Sequence, residues 1–241
     1  RIARRNLGNL DASISIKLSA LHPRYEHLSE QRVLSELGYA LRTLVEHARS
    51  LDVSITIDAE ESHRLLLSLK LFDSLLQQEF CHDWHGLGLA IQAYSRRALP
   101  ALQWLQHRAE TLGRKIPVRL VKGAYWDSEI KNAQQLGYED YPVFTRKAAT
   151  DISYLACASF MMEHPDQFLP QFATHNAHTV ITLQDLYPQG VYEFQRLHGM
   201  GEQLYQQVQE RYPQRRCRIY APVGRHRDLL PYLVRRLLEN T

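Results

Sequence analysis

A chain of 241 residues with 44% apolar and 23% charged side chains has a globular composition and enough hydrophobic surface to bury a sizeable core, which excludes a disordered segment. Its net charge of +3 is spread over 29 basic and 26 acidic residues rather than gathered into one block, so it leaves no electrostatic footprint for nucleic acid as the main partner. Three widely spaced cysteines, Cys81, Cys157 and Cys217, argue against a disulfide scaffold and fit a reducing compartment. No apolar run approaches the roughly 18 to 20 residues that a membrane-spanning helix needs, and Arg1-Ile2-Ala3-Arg4-Arg5 is not followed by a signal-peptide core. The expected location is therefore the cytoplasm, with any contact at the inner membrane face peripheral.

Residues 1–12 carry little strand pattern and read as the remnant of a preceding segment, leaving 13–241 as one domain. A first strand at 13–18 brings Lys17 near its end, and an amphipathic helix follows at 30–50. Strands at 53–58 and 88–93 end near Asp58 and Gln92, with a helical stretch at 99–112 after them. A strand at 117–122 carries Arg119 and Lys122 and leads to helical stretches at 127–135 and 144–162. Strands at 171–175 and 191–195 end in His175 and Gln195, a helix follows at 200–210, a last strand at 218–221, and a last helix at 228–239. Short β-branched runs alternating with helix-period stretches are the pattern of parallel strands joined by crossover helices, an α/β fold. Periodicity alone leaves two architectures open: a (β/α) barrel, in which these strand ends ring one mouth, and a doubly wound open sheet. A closed barrel takes eight strands against the seven read here, so the missing strand is expected before Arg1, outside or at the edge of this chain.

No Gly-x-Gly-x-x-Gly turn and no phosphate-binding Gly-rich loop ending in Lys-Ser/Thr is present, so a cofactor must be held in another way. Arg119-Leu-Val-Lys-Gly-Ala-Tyr-Trp-Asp127 combines a strand-end cation, a glycine that allows close backbone approach, and two aromatics where a helix begins. A planar aromatic cofactor needs these things together, although a strand end with core aromatics has the same composition. Thr174-His175-Asn176-Ala177-His178, with Asp58 and Glu60, also invites a metal-dependent barrel hydrolase. Against it, the other strand ends carry Lys17, Gln92, Arg119 and Gln195, and cations there repel a divalent ion. Asp127, Glu129 and Asp151 read as helix-start carboxylates rather than acid/base groups. Arg215, Arg216 and Arg218 read as a loop entering a strand rather than a phosphate patch. In the last helix the apolar stripe runs through positions 229, 230, 233, 234, 237 and 238, and helical geometry alone puts Arg235 and Arg236 in solvent.

Several blocks together are long and chemically unusual: Ser15-Ile-Lys-Leu-Ser-Ala-Leu-His-Pro-Arg-Tyr25, Ile57-Asp-Ala-Glu-Glu61, the Arg119 segment, Phe172-Ala-Thr-His-Asn176, Glu193-Phe-Gln195, Leu197-His-Gly-Met-Gly201, and Arg218-Ile-Tyr-Ala-Pro-Val-Gly224 followed by Tyr232-Leu-Val-Arg-Arg-Leu-Leu-Glu-Asn240. From about residue 13 onward the chain resembles the proline dehydrogenase domain of bacterial proline utilization A proteins. That resemblance implies a distorted (β/α)8 TIM-like barrel that binds FAD at the carboxyl ends of its strands and oxidises L-proline to Δ1-pyrroline-5-carboxylate, the first step of proline catabolism. It places the last helix across the barrel mouth, so that Arg235 and Arg236, with Lys17, clamp the proline carboxylate. Tyr220 and Leu197 become the apolar wall, and Asp58 supports this shell. Arg119 lies near the reactive nitrogen of the flavin, with Gln92, Val121, Gly123, Ala124 and Trp126 around the ring. Thr145, Arg146 and Lys147 meet the ribityl and pyrophosphate groups; Thr174, His175 and Asn176 contact the dinucleotide, Gln195 the ring edge, and Glu239 a peripheral part. It further implies a quinone as electron acceptor and fusion to a Δ1-pyrroline-5-carboxylate dehydrogenase domain in the parent protein.

Overall fold

A computed structural model describes residues 12–224 together with Leu229 and Val234. Seven strands are present among them: β1 (Ser13–Ile16), β2 (Ser54–Ile57), β3 (Leu87–Gln92), β4 (Ile116–Val121), β5 (Phe168–Ala173), β6 (Glu193–Leu197) and β7 (Arg216–Tyr220). The α-helices are α1 (Leu18–Leu21), α2 (Glu30–Ser50), α3 (Leu65–Leu76), α4 (Ala98–Thr111), α5 (Trp126–Gln135), α6 (Lys147–Glu163), α7 (Ala177–Leu186) and α8 (Glu202–Arg211). The strands form one sheet whose neighbours follow chain order from β1 to β7, and β1–β2, β2–β3, β5–β6 and β6–β7 pair in parallel. A doubly wound sheet reverses its strand order at a switch point. The order here does not reverse, which is the order of a (β/α) barrel and decides between the two architectures left open by periodicity.

All seven expected strands are present, with shifted bounds. The largest shift is at β5, which starts at Phe168 rather than 171 because Phe168 and Pro170 are buried and extended despite the proline. The helix expected at 30–50 is observed with those bounds as α2, while α3 is a helix the sequence did not lead one to expect, burying Leu67, Leu71 and Leu75 at i, i+4 spacing with Leu66, Lys70 and Ser74 exposed. The strand expected before Arg1 lies outside the described residues, as does most of the helix at 228–239, of which Leu229 and Val234 are helical.

Contacts divide the chain into two compact units, Arg1–Ile91 with Gln103–Arg119 and Asp166–Phe168, and Gln92–Leu102 with Leu120–Pro165 and Leu169–Thr241. In the first, α2 presents Val33, Leu37, Leu41 and Val45 to α3 and β2, each fully buried at i, i+4 spacing. The helix ends where Asp52 takes a left-handed φ of 54°, a conformation that a short polar side chain tolerates. Gly88 sets the approach of β3 to β4, because a Cβ there would lie 2.4 Å from the Pro117 carbonyl oxygen. Arg114, buried, donates to the carbonyls of Cys81 (2.8 Å) and Trp84 (2.7 Å) and so satisfies the turn before β3.

The second unit is built around aromatic residues. Phe172 on β5 and Phe194 on β6 are register partners, and Tyr192 meets both edge-on at 5.1 and 5.4 Å. Phe194 also lies 5.7 Å from the ring of Tyr205 on α8, so that face of β6 is the one the helices cover. Alternation then puts Glu193, Gln195 and Leu197 on the opposite face, and the register Gln195↔Arg218 and Leu197↔Tyr220 puts Arg218 and Tyr220 there too. Arg215 is the buried end of its basic triplet: it lies 3.7 Å over the Tyr192 ring and donates to Gln184 Oε1 (2.7 Å) and the Gly190 carbonyl (2.7 Å). That segment is thus a structural lead-in to β7, as expected. No helix among the described residues is long and apolar enough to cross a membrane.

Burial pushes the thiols of Cys157 and Cys217 up to about 11, and raises Cys81 as well against the opposing pull of Arg114. Since the thiolate is the nucleophile, iodoacetamide at pH 8 is expected to leave all three cysteines unmodified in the folded protein and to label all three after denaturation. Mass spectrometry of both samples checks this, and rapid native labelling of Cys157 would show that the core around α6 is open.

Candidate functional site

Each strand ends at a residue of chemical interest. Lys17 follows β1, Asp58 follows β2, Gln92 closes β3, Lys122 follows β4, Thr174 follows β5, and Leu197 and Tyr220 close β6 and β7. In a (β/α) barrel this is the edge from which catalytic side chains come.

In the first unit the central feature is an ion pair. The Arg119 guanidinium, whose side chain is 8% exposed, donates from Nη1 to Asp58 Oδ1 at 2.9 Å, and the Asp58 side chain is 17% exposed. A carboxylate partner offsets the cost of burying this charge, and the residue after β2 supplies it from 61 positions earlier in the chain. Lys17, half-buried, is the residue before α1, whose second amide, Ser19 N–H, donates to Glu60 Oε1 at 3.0 Å. Arg64 in turn pairs with Glu60 (3.2 Å), Glu61 (3.0 Å) and Glu26 (2.5 Å). Burial alone would raise the Glu26 carboxyl, but Arg64 and His63 beside it outweigh that and hold it below the usual range.

The second unit contains most of the remaining candidates. Gly123 takes φ 146°, and a Cβ there would lie 2.5 Å from the Tyr94 ring, so no side chain fits and backbone is left at that surface. Its neighbour Ala124 donates its amide to Oε1 of the buried Gln92 at 3.1 Å, which ties the β4 exit to the end of β3, and Val121 is the last residue of β4. Trp126 opens α5 half-exposed, its indole N–H donating to the Phe144 carbonyl at 2.9 Å. Phe144 in turn donates to the Tyr94 carbonyl at 2.8 Å. Two ties therefore fix the residue before Thr145, Arg146 and Lys147, all exposed, where α6 starts with Arg146 as an N-cap that gives no side-chain cap. Uncapped amides at a helix start flanked by two cations suit a phosphate group. Lys122 and Asp151 form an ion pair between the β4 exit and the second turn of the same helix, so Asp151 is an anchoring carboxylate, while Asp127 and Glu129 occupy the first turn of α5.

The Thr174–Asn176 segment spends much of its hydrogen-bonding capacity on the fold. Asn176 is the N-cap of α7, its Oδ1 accepting from Thr179 N at 2.9 Å and Thr179 Oγ1 at 3.1 Å. Thr174 accepts from Tyr205 Oη on its carbonyl at 2.8 Å and from the Asn176 amide on Oγ1 at 3.1 Å. His175 Nε2 accepts from the Leu197 amide at 3.0 Å. A backbone N–H can only donate, so Nε2 carries the lone pair and a neutral ring has its proton on Nδ1. Gln195, buried, donates from Nε2 to Glu193 Oε1 at 2.7 Å, and Glu193 accepts two further bonds from Arg218. The sequence reading gave Glu193 and Tyr94 no role; a signal existed for Glu193, which stands two positions before Gln195 and so shares its strand face.

The metal reading finds no support. Asp58 is engaged by Arg119, Glu60 by Ser19 and Arg64, and His175 by Leu197, while His178 is exposed. The described residues contain no group of three or more His, Cys, Asp or Glu that could hold an ion. Arg235, Arg236 and Glu239 lie outside the described residues.

A family model described as proline dehydrogenase matches residues 3–241. The chain is 53% identical over 236 residues to the bifunctional protein PutA of Escherichia coli strain K12, covering 94% of this chain and 18% of that protein. It is 50% identical over 232 residues to the bifunctional protein PutA of Rhizobium meliloti, covering 94% of this chain and 19% of that one. The crystal structure of a variant of Bradyrhizobium japonicum Proline Utilization A (PutA) superposes with a TM-score of 0.93 at 51% identity, covering 98% of this chain and 25% of that chain. The chain thus spans about a fifth of the length of these curated relatives. With the family model matching nearly its whole length, the chain belongs to the proline dehydrogenase family.

Proposed function

We propose that this chain is the catalytic domain, residues 13–241, of an FAD-dependent proline dehydrogenase that oxidises L-proline to Δ1-pyrroline-5-carboxylate, with residues 1–12 belonging to a preceding segment. One observation supports this beyond family membership: a buried guanidinium on β4, Arg119, held by Asp58, four residues before a glycine that leaves bare backbone. A flavin fits the residues present. Gly123, packed against the Tyr94 ring, keeps side-chain atoms off the backbone at the β4 exit, and the uncapped start of α6 with Arg146 and Lys147 suits the two phosphates.

In this reading Gln92, Val121, Gly123, Ala124 and Trp126 hold the ring system, with Gln195 at its edge. Thr145, Arg146 and Lys147 hold the ribityl and pyrophosphate portion, Thr174, His175 and Asn176 contact the dinucleotide, and Glu239 meets a peripheral part. FAD, when bound, would supply the hydride acceptor for oxidation of the proline ring C–N bond to C=N. Lys17, Arg235 and Arg236 take the proline carboxylate, for which two planar forks and an ammonium are well suited. Tyr220 and Leu197 close over the apolar ring. The fixed positive charge of Arg119 favours a reduced, anionic flavin and so eases electron transfer. The electron acceptor would be a quinone, and the protein would be cytoplasmic, with any contact at the inner membrane face peripheral. A fused Δ1-pyrroline-5-carboxylate dehydrogenase domain consumes the product in the parent protein, in keeping with relatives named as bifunctional.

The purified protein is expected to show the visible absorption of a bound flavin, and anaerobic proline is expected to bleach it. A colourless protein after incubation with FAD, or a flavin band unmoved by proline, would sink the reading. Arg236→Met removes one ion pair to substrate, so KM for proline should rise about tenfold or more while flavin content stays unchanged. Steady-state kinetics beside a flavin-to-protein ratio checks this, and an unaltered KM would take Arg236 out of the clamp.

A further inference from the structure

Arg218 reads in the sequence as part of a basic stretch, and the proposed function assigns nothing to its ion pair with Glu193. It is nonetheless well made. Arg218 Nε donates to Glu193 Oε1 at 2.8 Å and Arg218 Nη2 donates to Oε2 at 3.0 Å, a two-pronged fork. The two side chains are 12% and 23% exposed, Glu193 the more buried. The pair does not face the helices: register and alternation place it on the sheet face opposite Phe194, together with Gln195, Leu197 and Tyr220.

Such a pair is weak evidence for a stabilising role, because desolvating two charges costs about as much as their attraction returns. It does have one definite structural effect. Glu193 Oε1 also accepts from Gln195 Nε2 at 2.7 Å, and a carboxylate can only accept. The two ends of a glutamine amide are nearly the same in size, so packing alone leaves its orientation free to flip. Glu193 removes that freedom by drawing the NH2 toward itself, which turns the carbonyl oxygen of Gln195 to the other side. Arg218 holds Glu193 in place through both carboxylate oxygens.

Resting on the flavin reading above, we propose that Glu193 and Arg218 are positioning residues that fix the amide orientation of Gln195, so that its oxygen, with two lone pairs, accepts from the N–H donor on the flavin ring edge. The pair then acts on the cofactor only through Gln195, and this separates it from a pair that holds the fold.

Equilibrium binding of FAD to the full chain, followed by flavin fluorescence, tests this in four proteins: wild type, Glu193→Gln, Gln195→Leu, and the double variant. Glu193→Gln is expected to weaken FAD binding about tenfold when Gln195 is present, and to cause no further loss once Gln195 is leucine, the signature of two residues acting as one unit. Equal losses in both backgrounds, or none in either, would overturn the proposal. If Glu193→Gln leaves Arg218 unpaired and the protein does not fold, Glu193→Gln with Arg218→Met removes both charges, and the same comparison across the two Gln195 backgrounds decides. Wild-type protein that takes up no FAD would overturn the flavin reading and this inference with it, whereas flavin-loaded wild type with additive losses overturns the inference alone.

Discussion

The ion pair between Arg119 and Asp58 is the constraint from which the proposed chemistry follows. The buried guanidinium on β4 is held by a carboxylate that follows β2, 61 positions earlier in the chain. The parallel strand order brings both to the carboxyl edge of the sheet. The charge is thereby held in place before any ligand arrives, and an electrostatic contribution to catalysis needs a charge that does not have to reorganise.

A second division of labour runs across the sheet. On β6 and β7 one face is given to aromatic packing, with Phe194 against Tyr192 and Tyr205, and the other carries Glu193, Gln195, Leu197, Arg218 and Tyr220. The aromatic face anchors the strands to their helices; the opposite face is then free to carry polar groups that would be costly in a packed core. The same economy appears around α6, where Phe144 is tied to Trp126 and Tyr94, and Lys122 to Asp151, so the helix start is fixed from outside while its first amides carry no side-chain cap.

Much of this was legible in the sequence because strand-end residues are marked by a polar side chain after an apolar run, as at Lys17, Asp58 and Gln92. Element order could be read for the same reason, whereas the choice between a barrel and an open sheet could not, since that choice lies in which strands pair. Boundaries slipped where charge or proline disguised extended backbone, at Arg216 and Pro170, and α3 was not expected although its buried Leu67, Leu71 and Leu75 recur at i, i+4 spacing. Partners were the least legible part. Nothing in the local sequence shows that Asn176 caps a helix through Thr179, that His175 receives the Leu197 amide, or that Trp126 holds the Phe144 carbonyl. The roles of Arg235 and Arg236 rest on resemblance, because helical geometry alone would leave them in solvent.

The central claim is that the Arg119 charge acts on a bound flavin. A potentiometric titration of the flavin in the wild type and in Arg119→Met tests it most directly. A lower midpoint potential is expected in the variant, because a cation that favours the reduced, anionic ring has been removed. A potential that stays unchanged in a fully flavin-loaded variant would contradict it.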